Sequence, residues 1–147
     1  RKKPMSIPNP STAELSRLLR ETRTVAVVGA SDNPARPSND VLRYLARWSH
    51  FELYPVNPNI AEVDGIPVYP RLADLPVVPD MVDVFRRRED LPGLLQEVLE
   101  LTPVPKCLWL QQGLWHDQVA DAAREAGLTV VMDRCLKVDY ALLVTGR

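Results

Sequence analysis

Apolar residues recur along this chain with two different periods, and the switches between them divide it into strands and helices. Short continuous apolar runs at 24–29, 51–56, 81–85, 107–110 and 128–132 have the length and the Val/Leu content of strands buried on both faces. Between them, apolar residues return every three or four positions. Leu15, Leu18 and Leu19 predict a helix near 12–22, and Val41, Leu42, Leu45 and Trp48 one near 38–48. Leu91, Leu94, Leu95, Val98 and Leu99 predict a third, with Glu89 and Asp90 at its start, Pro92 in its first turn and Pro103 beyond its end. Val119, Ala120, Ala123 and Ala126 predict a fourth near 116–126. Ser11 and Glu14 have the spacing of a capping box, and Gly127 stands where a helix C′ glycine belongs. Residues 1–10 read as an extended arm and 11–147 as one domain. Asn57-Pro58-Asn59 ends the second strand, 66–69 is a short extended piece, and 72–75, bounded by prolines, is one helical turn. The tail at 135–144 is expected to form a last helical turn or an edge strand.

Strands separated repeatedly by helices are βαβ units, whose right-handed crossovers place helices on both faces of a parallel sheet. The expected fold is therefore α/β, a Rossmann-like doubly wound parallel sheet of about five strands in the order 3-2-1-4-5. In such a sheet ligands bind outside the carboxyl ends of the strands, where the order reverses. That topology selects the loops 29–38, 57–59, 86–88, 111–115 and 133–137.

Composition narrows the function classes. A chain of 147 residues suits a single domain that buries about 70% of its unfolded surface. A net charge of −1 gives no bulk attraction for nucleic acid, so any anion site must be local. Two cysteines and two histidines without metal-ligand spacing leave neither a zinc site nor a disulfide framework. The basic start Arg1-Lys2-Lys3 runs into Pro4 and a polar stretch instead of a secretory apolar core, and no run approaches the roughly 18 apolar residues of a membrane span. Reduced thiols and a cytoplasmic location away from membranes are the expectation. The 14 prolines, mostly near element ends, indicate short, stiff loops.

The first selected loop carries the strongest chemical signal. An apolar strand ends at Gly29, which permits a sharp turn, and the helix that follows offers unpaired N–H groups to an anion. This turn departs from the dinucleotide fingerprint Gly-x-Gly-x-x-Gly, because Ser31 and Pro34 stand where its second and third glycines would. Gly29, Ala30, Ser31 and Ser38 can instead supply backbone and hydroxyl donors, Arg36 a charged fork, and Pro34 stiffness. The competing reading makes Ser38 a helix N-cap and Arg36 a solvated cation. After the second strand, Asn57 and Pro58 replace the carboxylate that would hold an NAD ribose, which counts against simple NAD binding. A plain turn also explains them, while Asn57 and Asn59 can hydrogen-bond a ribose or an adenine edge. Arg86, Arg87 and Arg88 are either phosphate partners or a solvated salt-bridge cluster with Glu89 and Asp90. Gln111, Gln112 and Gly113 suit a neutral polar arm of a ligand, with Leu114 or Trp115 as a cover or as ordinary packing. Asp83 interrupts an apolar strand and needs a partner if buried; Arg134 is the candidate. His116 reads as a helix cap. No nucleophile with a paired base emerges, although Cys135 falls in a loop beside the expected site.

Taken together, residues of about 15–145 resemble the stand-alone coenzyme A-binding proteins, small relatives of the amino-terminal domain of the succinyl-CoA synthetase α subunit. The resemblance rests on Val-Gly-Ala-Ser-x-x-Pro-x-Arg-Pro-Ser at 28–38, Tyr-Pro-Val-Asn-Pro at 54–58 and Asp-Val-Phe-Arg-Arg at 83–87. Trp-Leu-Gln-x-Gly at 109–113 and Val-Met-Asp-Arg-Cys at 131–135 extend it. It implies a ligand, CoA or an acyl-CoA, with the pyrophosphate at 29–31, the adenosine near Asn57 and Pro58, and the pantetheine along Arg86 and 110–112. Synthetase activity is not implied, because this sequence contains neither the domain bearing the phosphorylated histidine nor an ATP-grasp segment. Asn59 departs from the lysine that the synthetase places after its second strand, which leaves Arg36 or Arg87 for the 3′-phosphate. The expected role is a carrier, sensor or accessory subunit, as a homodimer or with a partner subunit, and without catalysis by this chain alone. The alternative is an NAD(P)-binding enzyme or redox module.

Overall fold

The computed structural model describes residues 8–146. The segment 1–7 of the expected arm lies outside them. Helix α1 (Thr12–Glu21) opens on the expected capping box: Ser11 Oγ accepts from Glu14 N–H, and the Glu14 carboxylate accepts from Ser11 N–H. There follow β1 (Thr24–Val28), α2 (Pro37–Trp48) and β2 (Glu52–Val56), then a hairpin of β3 (Glu62–Val63) and β4 (Ile66–Pro67). A 3₁₀ turn (Leu72–Asp74) leads into β5 (Met81–Val84). A second 3₁₀ turn (Arg88–Asp90) precedes α3 (Leu91–Leu99), and β6 (Cys107–Leu110), α4 (Asp117–Glu125), β7 (Thr129–Val131) and α5 (Leu136–Leu143) complete the domain.

Five strands form a parallel sheet in the order β2-β1-β5-β6-β7. Its outer neighbour beside β2 is the 66–69 piece, which reaches the sheet through a parallel bridge between Tyr69 and Val56. Counted as the third member, that piece makes the series read 3-2-1-4-5 from the edge, with one strand more. The expected order thus differs in numbering: the strand at 81–84 takes the fourth place, directly against β1, and the reversal of order falls between β1 and β5.

Both faces are covered. Ala26, Val28, Val82, Val84, Leu108 and Leu110 pack under α3 and α4. Val25, Val27, Met81, Cys107 and Trp109 pack under α1, α2 and α5. This partition is the period-2 alternation of strand side chains sorted onto two layers. The open edge of β7 is closed by Asn9, whose Nδ2 donates to Met132 O at 2.8 Å and whose Oδ1 accepts from Met132 N–H at 2.8 Å, a side chain imitating a neighbouring strand.

Three expectations change. Trp48 does not join the buried stripe of α2: it is 56% exposed, with the Arg47 guanidinium 4.9 Å over its ring, because the helix ends there, past the layer it covers. Of the two alternatives for the tail the helical one holds, lengthened from one turn to a full helix, since Leu136 and Tyr140 lie one turn apart on its buried face, and the Tyr140 hydroxyl accepts from His50 N–H at 3.1 Å. Ser38 is not an N-cap: Arg36 takes that place and Pro37 the first helical position.

Candidate functional site

The turn after β1 is held by backbone and side-chain bonds before any ligand arrives. Gly29 has φ +87°, and both Gly29 N–H and Ala30 N–H donate to Val56 O. Asn57 Nδ2 donates to Ala30 O at 2.7 Å, and Asn57 Oδ1 accepts from Asn59 N–H at 2.8 Å. Both ends of that amide are therefore engaged within the protein, which leaves exposed Asn59 as the member of the pair open to a ligand. Further along, Ser31 Oγ accepts from Asn33 N–H, Asn33 Oδ1 accepts from Ala35 N–H, and Asn39 Nδ2 donates to Ser31 O. Such short-range side-chain bonds fix the loop in one conformation, so little entropy remains to be lost on binding. The Ser31 hydroxyl keeps its own proton free to donate.

Above this turn opens a cleft of about 1210 Å³ across the carboxyl ends of β1, β2, β5 and β6. It brings together the residues selected from the sequence except Pro34, which is exposed, and Arg88 and Trp115, which do not line it. Gly29, Ala30, Ser31, Arg36 and Ser38 border it from the β1 side, Asn57 and Pro58 from β2, Arg86 and Arg87 from β5, and Gln111, Gln112 and Gly113 from β6. Ser38, 4% exposed, lies in the first turn of α2, where N–H groups lack intrahelical partners. Pro70, Arg71 and Leu72 form a wall that local sequence pattern did not indicate; the bridge at Tyr69 carries them there. Leu94 and Glu97 of α3 and Cys135 ahead of α5 complete the lining.

The cleft is lined by both signs of charge, Arg36, Arg71, Arg86 and Arg87 against Asp40, Asp90 and Glu97. The Arg36 side chain is exposed and makes no ion pair or hydrogen bond with any described residue, its backbone alone being bonded, to Asn33, Asn39 and Asp40. Arg86 approaches Asp90 at 3.6 Å, while Arg87 reaches Asp90 at 3.2 Å and Glu89 at 3.5 Å. The Arg87 hydrogen bond holds the Asp90 carboxyl below the usual carboxylate range, and Asp90 in turn raises Arg87. Exposed pairs of this kind contribute little to stability, about 0–1 kcal/mol, so the guanidinium groups can leave them at small cost. Arg88 departs from its neighbours: its Nε donates to Trp115 O at 2.9 Å, tying the 86–88 loop to the 111–115 loop outside the cleft. Trp115 packs against the core beneath α3 and α4, and Leu114 is buried there. His116 caps α4 as expected, its Nδ1 accepting from Val119 N–H.

The floor at β6 is also rigid. Gln111 is 7% exposed, and its Oε1 accepts from Leu136 N–H at 3.1 Å. The expected Asp83–Arg134 pair does not form. Arg134 binds Asp139 in a two-pronged contact at 2.6 and 2.8 Å, because the turn into α5 brings those two side chains together across five residues. Asp139 is buried, and the shared hydrogen bonds raise the Arg134 pKa. Arg134→Ala takes the half-exposed partner away from a buried carboxylate and is expected to cost about 1–3 kcal/mol of stability in urea unfolding. A smaller loss would show that water replaces the guanidinium.

Comparison with known proteins bears on what this cleft is. The CoA binding domain family matches residues 23–141, which takes in every sheet strand and every wall of the cleft. The chain belongs to the CoA-binding domain family. Its relatives within that setting include the uncharacterized protein YneT of Bacillus subtilis (strain 168), 41% identical over 134 residues, a match spanning 91% of this chain and 97% of YneT. A solved Thermus thermophilus protein superimposes with a TM-score of 0.84 at 39% identity, covering 91% of this chain and 99% of that one. The dinucleotide-forming acetyl-coenzyme A synthetase of Ca. Korarchaeum cryptofilum, solved in complex with phosphate and ADP, shares the fold at a TM-score of 0.66 and 23% identity. There the likeness covers 79% of this chain and 26% of the synthetase. For this CoA-binding domain, the described residues hold no cluster of three or more metal-ligating side chains, and no helix among them is long and apolar enough to cross a membrane.

Proposed function

We propose that this domain binds coenzyme A or an acyl-CoA in the cleft, as a carrier, sensor or accessory subunit, without catalysis by this chain alone. The observation that supports it most is the preformed turn at Gly29 beside the first turn of α2, with Ser31, Ser38 and the Arg36 side chain lining the same cleft. In this reading the pyrophosphate lies over 29–31 and the N-terminus of α2, where helix N–H groups and the dipole favour negative charge. The adenosine end rests between Asn57-Pro58 and Pro70–72, and the pantetheine arm runs past Arg86 toward Gln111, Gln112 and Gly113. Arg36 or Arg87 takes the 3′-phosphate. An NAD(P) reading has the βα turn in its favour and lacks a carboxylate at the end of β2.

Calorimetry with CoA, acetyl-CoA, dephospho-CoA, NAD and NADP on the reduced protein separates these readings. CoA at about a hundred times its dissociation constant adds ~2.7 kcal/mol to the native state and raises the melting temperature by several degrees. Arg36→Ala is expected to weaken CoA binding about 5- to 30-fold, the range of one charge-assisted hydrogen bond. If the loss is as large with dephospho-CoA, Arg36 serves the pyrophosphate; if it disappears, Arg36 serves the 3′-phosphate. Binding of NAD or NADP with none of CoA overturns the proposal.

A further inference from the structure

Resting on the reading of the cleft as a CoA site, we propose that Cys135 captures the ligand covalently, by exchange with the disulfide form of a CoA-type thiol. Cys135 borders the cleft, is half-buried, and precedes α5 as its N-cap residue. Its place is held on both sides. Arg134 N–H donates to Leu110 O at 3.4 Å and Leu136 N–H to Gln111 Oε1 at 3.1 Å, so the thiol is pinned to the carboxyl end of β6. The same Gln111 supplies an independent sign of a ligand. Its side chain is buried and lines the cleft, yet its Nε2 donates to no described residue. That donor reaches the solvent of the cleft, where the carbonyl of an amide-bearing ligand arm can accept its hydrogen bond. That contact lays the end of such an arm, where the thiol is, beside Cys135.

The surroundings suit exchange and no other cysteine chemistry. Asp133, the nearest carboxylate along the chain, accepts from Gly113 N–H at 2.6 Å, and Asp139 is committed to Arg134. Neither is placed as a general base for acyl transfer. Exchange needs none. The Cys135 thiolate attacks one sulfur of the disulfide, the Cys135–CoA bond forms as the CoA–CoA bond breaks, and the departing CoA thiolate takes up the proton released by Cys135. No outside oxidant enters. Cys107 does not compete: it is fully buried in β6, and burial together with nearby Asp83 pushes its thiol well above the usual range.

The test treats the reduced, reductant-free protein with CoA disulfide and follows intact mass, with peptide mapping to locate the adduct and oxidised glutathione as a disulfide without the nucleotide. The expected product carries one CoA in place of one hydrogen, on Cys135, reversible by dithiothreitol. It should form with saturable kinetics, at least ~10-fold faster than the glutathione adduct because binding holds the reacting sulfurs together. Cys135→Ser abolishes it and Cys107→Ser does not. Parallel calorimetry with reduced CoA keeps the two proposals apart. CoA binding with no adduct, with an adduct on Cys107, or with no preference over glutathione overturns covalent capture and leaves the CoA site standing. Absence of both binding and adduct overturns both.

Discussion

Gly29→Ala is expected to lower the unfolding free energy by roughly 3–5 kcal/mol and to remove nucleotide binding, the largest loss from a single methyl group in this domain. Two costs add. At φ +87° an L side chain meets its own backbone, a penalty of about 1–2 kcal/mol. The added Cβ would also lie 2.1 Å from Phe85 O and 2.9 Å from Phe85 C, with Arg86 Cδ at 3.3 Å. A flexible side chain can yield, but Phe85 O belongs to the backbone that leaves β5, and Phe85 N–H is tied to Val28 O at 2.8 Å. Relief therefore requires β1 and β5 to part at their carboxyl ends, the place where the order of the sheet reverses and the cleft opens. Urea unfolding and CoA calorimetry on the variant check both halves. A variant that melts like the wild type and still binds would show that the turn can rebuild around a Cβ, and would remove Gly29 from its position as the hinge between fold and site.

This glycine also shows how far a sequence reading reaches. The steep turn was legible because an apolar run stops at a glycine and a helix pattern begins a few residues later. The crowding by Phe85 was not, because it depends on which strand lies beside β1. Periodicity locates strands and helices to within a residue or two: the run at 107–110 is β6, and the capping box and the Gly127 stop mark real helix ends. It says less about neighbours in space. The 66–69 piece looks like a connector in one dimension and occupies a place beside β2 in three, which is why Pro70, Arg71 and Leu72 were not foreseen as a cleft wall. Polar side chains divide the same way. Asn57 and Gln111 were selected as ligand contacts, and each spends part of its amide on holding a loop, Asn57 on Ala30 and Gln111 on Leu136. Residue type and loop location point to a site, while the allocation of each hydrogen-bonding atom is settled by tertiary packing.

Asp83→Val is expected to raise the unfolding free energy by about 2–4 kcal/mol near pH 8, a gain from removing a charge-bearing group instead of adding a contact. Asp83 is fully buried in the middle of β5, between Val27 of β1 and Trp109 of β6, and neither carboxylate oxygen has a hydrogen-bond partner among the described residues. The layer over it, from α1, α2 and α5, presents Leu15, Leu19, Leu42, Leu45 and Leu136, and Cys107 is the titratable group that interacts with it. Burial alone pushes its pKa well above the usual carboxylate value. The folded chain therefore keeps this proton to a higher pH than the unfolded chain, where an aspartate titrates near 4. Its favourable contribution is complete below about pH 4 and erodes as pH rises through the raised folded value. The advantage of Asp83→Val should thus be smallest in acid and grow with pH, while Asp83→Asn, which cannot ionise, should flatten the pH dependence and still leave an unsatisfied polar group. Urea unfolding of the three proteins at pH 5 and pH 9 measures this. If the wild type and Asp83→Val differ by the same amount at both pH values, the carboxyl is not the buried acid described, and a hydrogen-bonded partner must reach it in solution.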